Sequence, residues 1–332
     1  MPKVTYILGA GASAGQKDVD GNRLRGVPTI CEFAQECQSC IAWLKTQNYD
    51  GENSQLFEHE LEWLYSICSN YPTVDTYAKL LFAIQQSAEY ERLKTVLSFF
   101  LTLVQKRYPR DIRYDGWVAA LVDENGSFPD NMNILSWNYD AQFEMAYSGY
   151  LQDVELKKLW GITNVLNKTF VYTPKNNDKF SIVKLNGTAF LHWSDGMGST
   201  GIYDLLVYPQ NDRPIENMLA QMFPAVSSTN VVNELSYAWE KRDYNDVFIQ
   251  AIKNKVQDTE VVVVIGYSFP YVNRFMDKFI FASMPKLQKI YVQDLNAESV
   301  VETMRGRIDG REHILIVPQK GLNQFYIPNE LD

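Results

Sequence analysis

The feature that most constrains this chain is the junction between Val4–Leu8, a short apolar run, and Gly9-Ala10-Gly11-Ala12-Ser13-Ala14-Gly15 behind it. A continuous apolar run of this length reads as a strand covered on both faces, because a strand with one wet face alternates. Two glycines directly behind it call for a tight backbone turn, and a run of small residues suits a helix packed close to that strand. Strand, glycine turn and helix in this order open an α/β unit.

Runs of the same character recur at Asn133–Trp137, Thr169–Tyr172, Ile182–Leu185, Val261–Ile265, Lys289–Val292 and His313–Val317. Helical stretches alternate with them at Ala141–Leu151, Asp246–Lys255 and Arg274–Ala282. This alternation predicts an α/β fold, a doubly wound and mainly parallel Rossmann-like sheet. Between the first two strands, apolar residues fall at helical spacing in Ile30–Leu44, Leu56–Ile67, Thr76–Gln86 and Glu91–Lys106. We read residues 31–128 as an inserted helical subdomain, and 1–30 plus 129–332 as the sheet domain. The stretch 194–232, rich in Gly, Ser, Pro and Asn, reads as loop with short helical pieces.

Composition removes several function classes. Apolar residues make up 46% and charged residues 21% of the 332, so a packed core is affordable to the chain and disorder is not expected. Lys plus Arg number 31 against 40 Asp plus Glu, a formal charge of −9, which argues against broad binding to a nucleic-acid backbone. No apolar run approaches the ~20 residues of a membrane helix or the ~7–15 of a secretory signal core. The four cysteines are too few for a disulfide framework. A reduced, cytoplasmic protein that uses neither nucleic acid nor membrane is expected. Cys37-Gln-Ser-Cys40 lacks a second pair or nearby His, so we expect packing and no metal.

The glycine turn has two readings. It can bring the backbone against a pyrophosphate at a helix N-terminus, or it can be only a tight turn. The acidic residue that dehydrogenases place ~20 residues further on has no counterpart in Gly21-Asn-Arg-Leu-Arg-Gly-Val-Pro28, so an ordinary dehydrogenase is disfavoured. Polar clusters also follow the later strands: Ser136-Trp-Asn138-Tyr-Asp140, Lys184-Leu-Asn186-Gly187-Thr188, Gly266-Tyr267-Ser268 and Asp294-Leu-Asn296. Each alone can be a turn or a helix cap. Parallel strands end on one edge, where ligands bind, so together they predict one site.

These segments carry a family resemblance. GAGAS at 9–13, SWNYD at 136–140, KLNGT at 184–188 and IGYSFP at 265–270 are similar, in order and spacing, to the motifs of the prokaryotic sirtuin-like family. The likeness covers roughly 1–30 and 130–317. It implies an NAD-binding sheet that cleaves the nicotinamide–ribose bond, in relatives that are often anti-phage effectors depleting NAD. It implies that Gly9, Ala10, Gly11 and Ser13 hold phosphates, with Gly187 beside them. It implies that Asn138 and Asp140 serve the nicotinamide and ribose, that Gly266, Tyr267 and Ser268 line the phosphate and adenosine side, and that Asp294 or Asn296 meets the adenosine. Three departures stand out. The segment Gly26-Val27-Pro28-Thr29 replaces the deacylases' GIPD, no zinc module lies between Asn138 and Gly266, and Asn186 stands where the family's catalytic His is expected.

Nicotinamide leaves the cationic ring form as a neutral molecule, so no strong acid is needed, but the attacking water must lose a proton. An amide both donates and accepts and can orient that water, yet it cannot take the proton. Of the three histidines, His192 is close enough in sequence to Asn186 to be considered as a substitute base; His59 and His313 read as structural. Two function classes therefore stay open: an NAD glycohydrolase, attenuated by Asn186, and a non-catalytic module binding NAD or ADP-ribose. A protein deacylase is disfavoured. Assembly with itself or with a partner protein is the expected restraint on such an enzyme.

Overall fold

The computed structural model describes residues 1–46, 52–151, 165–166, 180–193, 231–240, 247–308 and 310–331. The chain forms two compact units: Met1–Gly15, Arg110–Gly187 and Ser236–Asp332 in the first, Gln16–Pro109 and Thr188–Leu235 in the second. These boundaries differ from the expected ones at 31 and 128. The second unit takes the chain from directly behind the glycine turn and also takes residues 188–235, while 110–128 goes with the sheet.

The first unit is built on a seven-stranded sheet. Its strands are β1 (Lys3–Leu8), β2 (Met132–Ser136), β3 (Val165–Leu166), β4 (Ser181–Lys184), β7 (Thr259–Ile265), β8 (Lys289–Gln293) and β9 (Leu315–Gln319). Their order is β3-β4-β2-β1-β7-β8-β9, and every pairing is parallel. From central β1 the chain first extends the sheet on one side, then returns to add β7, β8 and β9 on the other. The doubly wound expectation is met. The expected strand at Thr169–Tyr172 lies outside the described residues.

Both faces of β1, β2, β4, β7 and β8 are buried, which is why these strands carry apolar runs, while β9 at the end of the sheet is exposed or half-buried. Successive residues point to opposite faces. Ile7, Leu135, Val183, Val262 and Val264 face helices α8 (Val247–Val256), α9 (Arg274–Ala282) and α10 (Ala297–Arg305), burying Phe248, Ile252, Ile280 and Met304 against them. Tyr6 points the other way, edge-on to Trp117 at 4.8 Å between ring centroids. Trp117 lies on α6 (Ile112–Leu121) and also meets Phe143 of α7 (Gln142–Ser148).

The helix expected behind the glycine turn is a single turn, α1 (Ala10–Ser13). Gly15 takes φ +66°, a left-handed conformation that ends it, and no extended helix dipole develops there.

In the second unit, α2 (Phe33–Thr46), α3 (Glu52–Asn70), α4 (Val74–Ala83) and α5 (Ser87–Arg107) pack together, and a separate two-stranded sheet joins β5 (Gly187–Trp193) to β6 (Val231–Leu235). Residues Leu93 to Gln105 of α5 are all buried, so this helix is central and not amphipathic. β6 is not expected from the sequence: it starts in the last two residues of the stretch read as loop, 194–232, and runs past it, because five residues without clean alternation carry no strand signal. Cys37 and Cys40 are buried on α2, and burial pushes their thiols up, Cys40 to about 12.

Candidate functional site

Register carries the strand ends into one row. Leu8 pairs with Ser136 and Ile265, Ser136 with Lys184, and Ile265 with Gln293. The next residue of each strand continues the row through backbone bonds: Trp137 N–H to Leu8 O at 2.9 Å, Leu185 N–H to Ser136 O at 2.8 Å, Gly9 N–H to Ile265 O at 3.0 Å and Gly266 N–H to Gln293 O at 3.0 Å. The polar clusters after β1, β2, β4, β7 and β8 thus share one edge of the sheet.

The glycine turn itself is used differently from the expectation. A Cβ on Gly9 would come within 2.5 Å of Gly266 O, and one on Gly11 within 2.8 Å of Gly266 Cα. Gly266, at φ +60°, would put its own Cβ 2.4 Å from Ala12 N. Three glycines let two backbones touch. The amides of Gly9, Gly11 and Ala12 are also spent inside the protein, on Ile265 O, Gly266 O and Gly9 O. At Gly9 and Gly11 the space and the amide donors are taken by Ile265 and Gly266 at the end of β7, and the Ala12 amide is used within the turn.

The polar chemistry gathers beside the turn, at Ser13. Asn138 Nδ2 donates to Ser13 Oγ at 3.0 Å, and Ser13 Oγ lies 3.0 Å from the Tyr114 hydroxyl. Asn138 is only 6% exposed, yet its Oδ1 has no hydrogen-bond partner among the described residues. A buried amide oxygen without a donor costs about 1–3 kcal/mol, so such an atom marks a place where a donor is missing. One strand over, Asn186 Nδ2 donates to Trp137 O at 3.3 Å, and Asn186 O accepts from Ser236 N at 2.8 Å. Ser236 is buried too, and its hydroxyl is unpartnered among the described residues. Two contacting pairs, Ser13 with Asn138 and Asn186 with Ser236, thus lie near the ends of β1, β2 and β4, with Asn186 tied to the Trp137 backbone and one unfilled polar atom in each pair.

Asp140 closes the loop behind Asn138. Its Oδ1 accepts from Gln142 N at 3.0 Å, and Lys184 Nζ donates to its backbone oxygen at 2.9 Å. Burial raises the Asp140 carboxyl above its usual range, against the pull of the Lys184 ammonium and of hydrogen bonds from Gln142 and Ser13. Lys184 also forms a buried ion pair with Glu144 at 2.8 Å.

Several residues here have no sequence motif. Tyr114 and Arg113 lie on α6, inside the block read as an insertion. Arg113 Nη2 donates to Gly11 O at 3.0 Å and Ala12 O at 3.2 Å, and its guanidinium pairs with Asp111 at 2.6 Å. Asp111 in turn accepts from Gly15 N at 3.1 Å. The ring of Tyr237 stacks on Trp239 at 4.4 Å and meets Tyr139 edge-on at 6.2 Å. Nothing in the sequence singles out Tyr237 or Trp239, whose only pattern is two aromatic residues separated by one.

The remaining expected residues divide. Tyr267 is buried, stacked on Trp137 at 5.4 Å, and its hydroxyl donates to Asp277 at 2.9 Å, so it packs and anchors the β7 loop. Gly187 takes φ +69° at the turn into β5. Ala10 and Ser268 are exposed, and Asp294 is half-buried with its Oδ1 accepting from Asn296 N at 2.8 Å, a turn ahead of α10. His192 belongs to β5, but its side chain lies outside the described residues. No protein-family model matches this chain, and no curated protein does. Among the described residues, no helix is long and apolar enough to cross a membrane, and no cluster of His, Cys, Asp and Glu could hold a metal ion.

Proposed function

We propose that the sheet edge at Ser13, Asn138 and Asn186 is an NAD site of the prokaryotic sirtuin-like kind, and that the chain cleaves the nicotinamide–ribose bond there. The observation that carries this reading is the buried, donor-less Oδ1 of Asn138, tied through its Nδ2 to Ser13. An amide fixed at one end and unfilled at the other suits a water or ribose hydroxyl, which supplies the missing O–H donor. It also falls in the SWNYD segment, where the family resemblance assigns that role.

In the reaction the glycosidic C–N bond breaks, nicotinamide keeps the electron pair, and water adds to the ribose carbon and gives up one proton. Asn138 orients the water. Asn186 can orient but not accept the proton. Asp140 is the carboxyl of this edge able to receive it, since its raised pKa brings it nearer to a working base and Ser13 stands between it and Asn138.

A second reading, a module that binds NAD or ADP-ribose without turnover, is favoured by Asn186 and by the spent amides of the glycine turn. One experiment separates the two. The full chain is incubated with NAD, and free nicotinamide is followed with time. The glycohydrolase reading expects release that Asn138→Ala abolishes and that Asn186→His, which adds a second base beside Asp140, raises by at most the ~10²- to 10⁴-fold that general-base help is worth. Stabilisation by NAD without release, about 2.7 kcal/mol at 100 times Kd, would replace it with the binding module. Neither release nor stabilisation would refute both.

A further inference from the structure

The second unit contains a cavity that the NAD reading does not use. It has a volume of about 260 Å³, and its lining residues all come from that unit. We propose that it binds a small hydroxylated anion, a phosphate or carboxylate carrying hydroxyl groups close to its charge, of the size of a pentose phosphate.

The wall is built before any ligand arrives. One side is the segment Lys17–Arg23, closed by an isolated antiparallel bridge between those two residues and by Gly21 at φ +84°. Asp18 locks it, accepting from the backbone of Asp20 at 3.0 Å and of Asn22 at 2.8 Å. The other side is α2 and the C-terminal end of α5, which bring Glu36, Arg107 and Tyr108 to the cavity.

Charge selects the sign of the occupant. Lys17, Arg23 and Arg107 face Glu32 and Glu36, three cations against two anions, in a chain whose net charge is −9. The pairing inside the wall is uneven. Arg23 is committed to Glu36 at 3.2 Å and Glu32 at 2.8 Å, and Lys17 pairs with Glu32. Arg107 is left with the looser bonds: its Nη1 donates to Ser39 at 2.9 Å and stays 3.7 Å from Glu36, beyond hydrogen-bond reach. Its guanidinium lies over the Tyr108 ring, 4.9 Å from the centroid, and 5.7 Å from that of Trp43. A fixed guanidinium with unspent N–H groups suits a phosphate or carboxylate.

The second demand comes from Glu36. This residue is 6% exposed, and its Oε1 has no hydrogen-bond partner among the described residues. An anion alone would repel it. A hydroxyl beside the anion would satisfy it while the charged end meets Arg107. The cavity therefore asks for an acceptor with negative charge and an O–H donor on one small molecule. Its volume lies just under the ~300–1,000 Å³ of sites for drug-sized ligands, which suits a molecule of pentose-phosphate size.

The test is calorimetric titration of the full chain with ribose 5-phosphate and, separately, gluconate, which distinguishes the phosphate from the carboxylate source. Ribose and inorganic phosphate are titrated as controls for the hydroxyls alone and the charge alone. Saturable binding of either hydroxylated anion is expected, weakened about 10- to 100-fold by Arg107→Met, the usual worth of a hydrogen bond to a charged group. Lys17→Met, at the half-exposed rim, is expected to weaken binding in the same direction and keeps the test open if the Arg107 variant does not fold. No binding of either anion at millimolar concentration would overturn the proposal. So would binding unchanged in both folded variants, or ribose or inorganic phosphate binding as well as the combined molecule.

Discussion

Replacing Gly266 by Ala tests whether the glycine turn and the β7 loop are one rigid device. The added methyl would lie 2.4 Å from Ala12 N and from Gly11 C, and 2.5 Å from Gly11 Cα. All three are backbone atoms, so no side chain can swing away to make room. Three costs add. A left-handed φ of +60° on a residue with a Cβ costs about 1–2 kcal/mol. Forcing the two backbones apart costs about 1–3 kcal/mol, as overpacking does. Losing the Gly11–Gly266 hydrogen bond at 2.9 Å costs about 0.5–1.5 kcal/mol more. The sum, about 2.5–6.5 kcal/mol, is a large share of the ~5–15 kcal/mol that holds a domain folded. Urea unfolding followed by far-UV circular dichroism measures it, and the midpoint is expected to fall by more than about 1 M at ordinary slopes. Gly116→Ala is the control. Gly116 lies within α6 with nothing near its absent Cβ, so Ala there is expected to raise stability by about 0.5–1 kcal/mol. If Gly266→Ala stays within about 1 kcal/mol of the parent, the reasoning fails. The three glycines would then not be required for backbone contact.

Two further outcomes follow from buried charges in the first unit. Lys184→Met leaves Glu144 buried without its cation and removes the bond to Asp140 O, so a loss of about 3–5 kcal/mol is expected in the same unfolding assay; a neutral result would show that water reaches Glu144. Asp277, raised by burial to about 7 despite the Tyr267 hydroxyl and Arg307 beside it, favours its protonated form in the fold. Its contribution to stability is therefore fully present below the unfolded value near 4 and is lost as pH rises to about 7. Asp277→Asn is expected to remove that decline between about pH 4 and 7, and an unchanged pH profile would show that Asp277 is ionised throughout.

The sequence by itself determined the sheet. The strands β1, β2, β4, β7 and β8 carry short apolar runs, and such a run reports burial on both faces without knowledge of its neighbours, whereas β9 has a similar run but lies at the end of the sheet, exposed or half-buried. It also determined that the polar clusters at Ser13, Asn138, Asn186, Gly266 and Asp294 share an edge, because parallel strands have only one C-terminal side. The tertiary structure decided what those clusters do to one another. Gly9 and Gly11 read as room for a ligand, but the neighbour that fills the room, Gly266, is more than 250 residues away and is brought there by the return of the chain to β7. Tyr114 and Arg113 carried no signal, since α6 follows a helical block with the same periodicity and only packing against Tyr6 and the glycine turn separates it from that block. The missing donor at Asn138 was equally hidden. A side chain's type tells what bonds it can make, but only the positions of all its neighbours tell which one is left unmade.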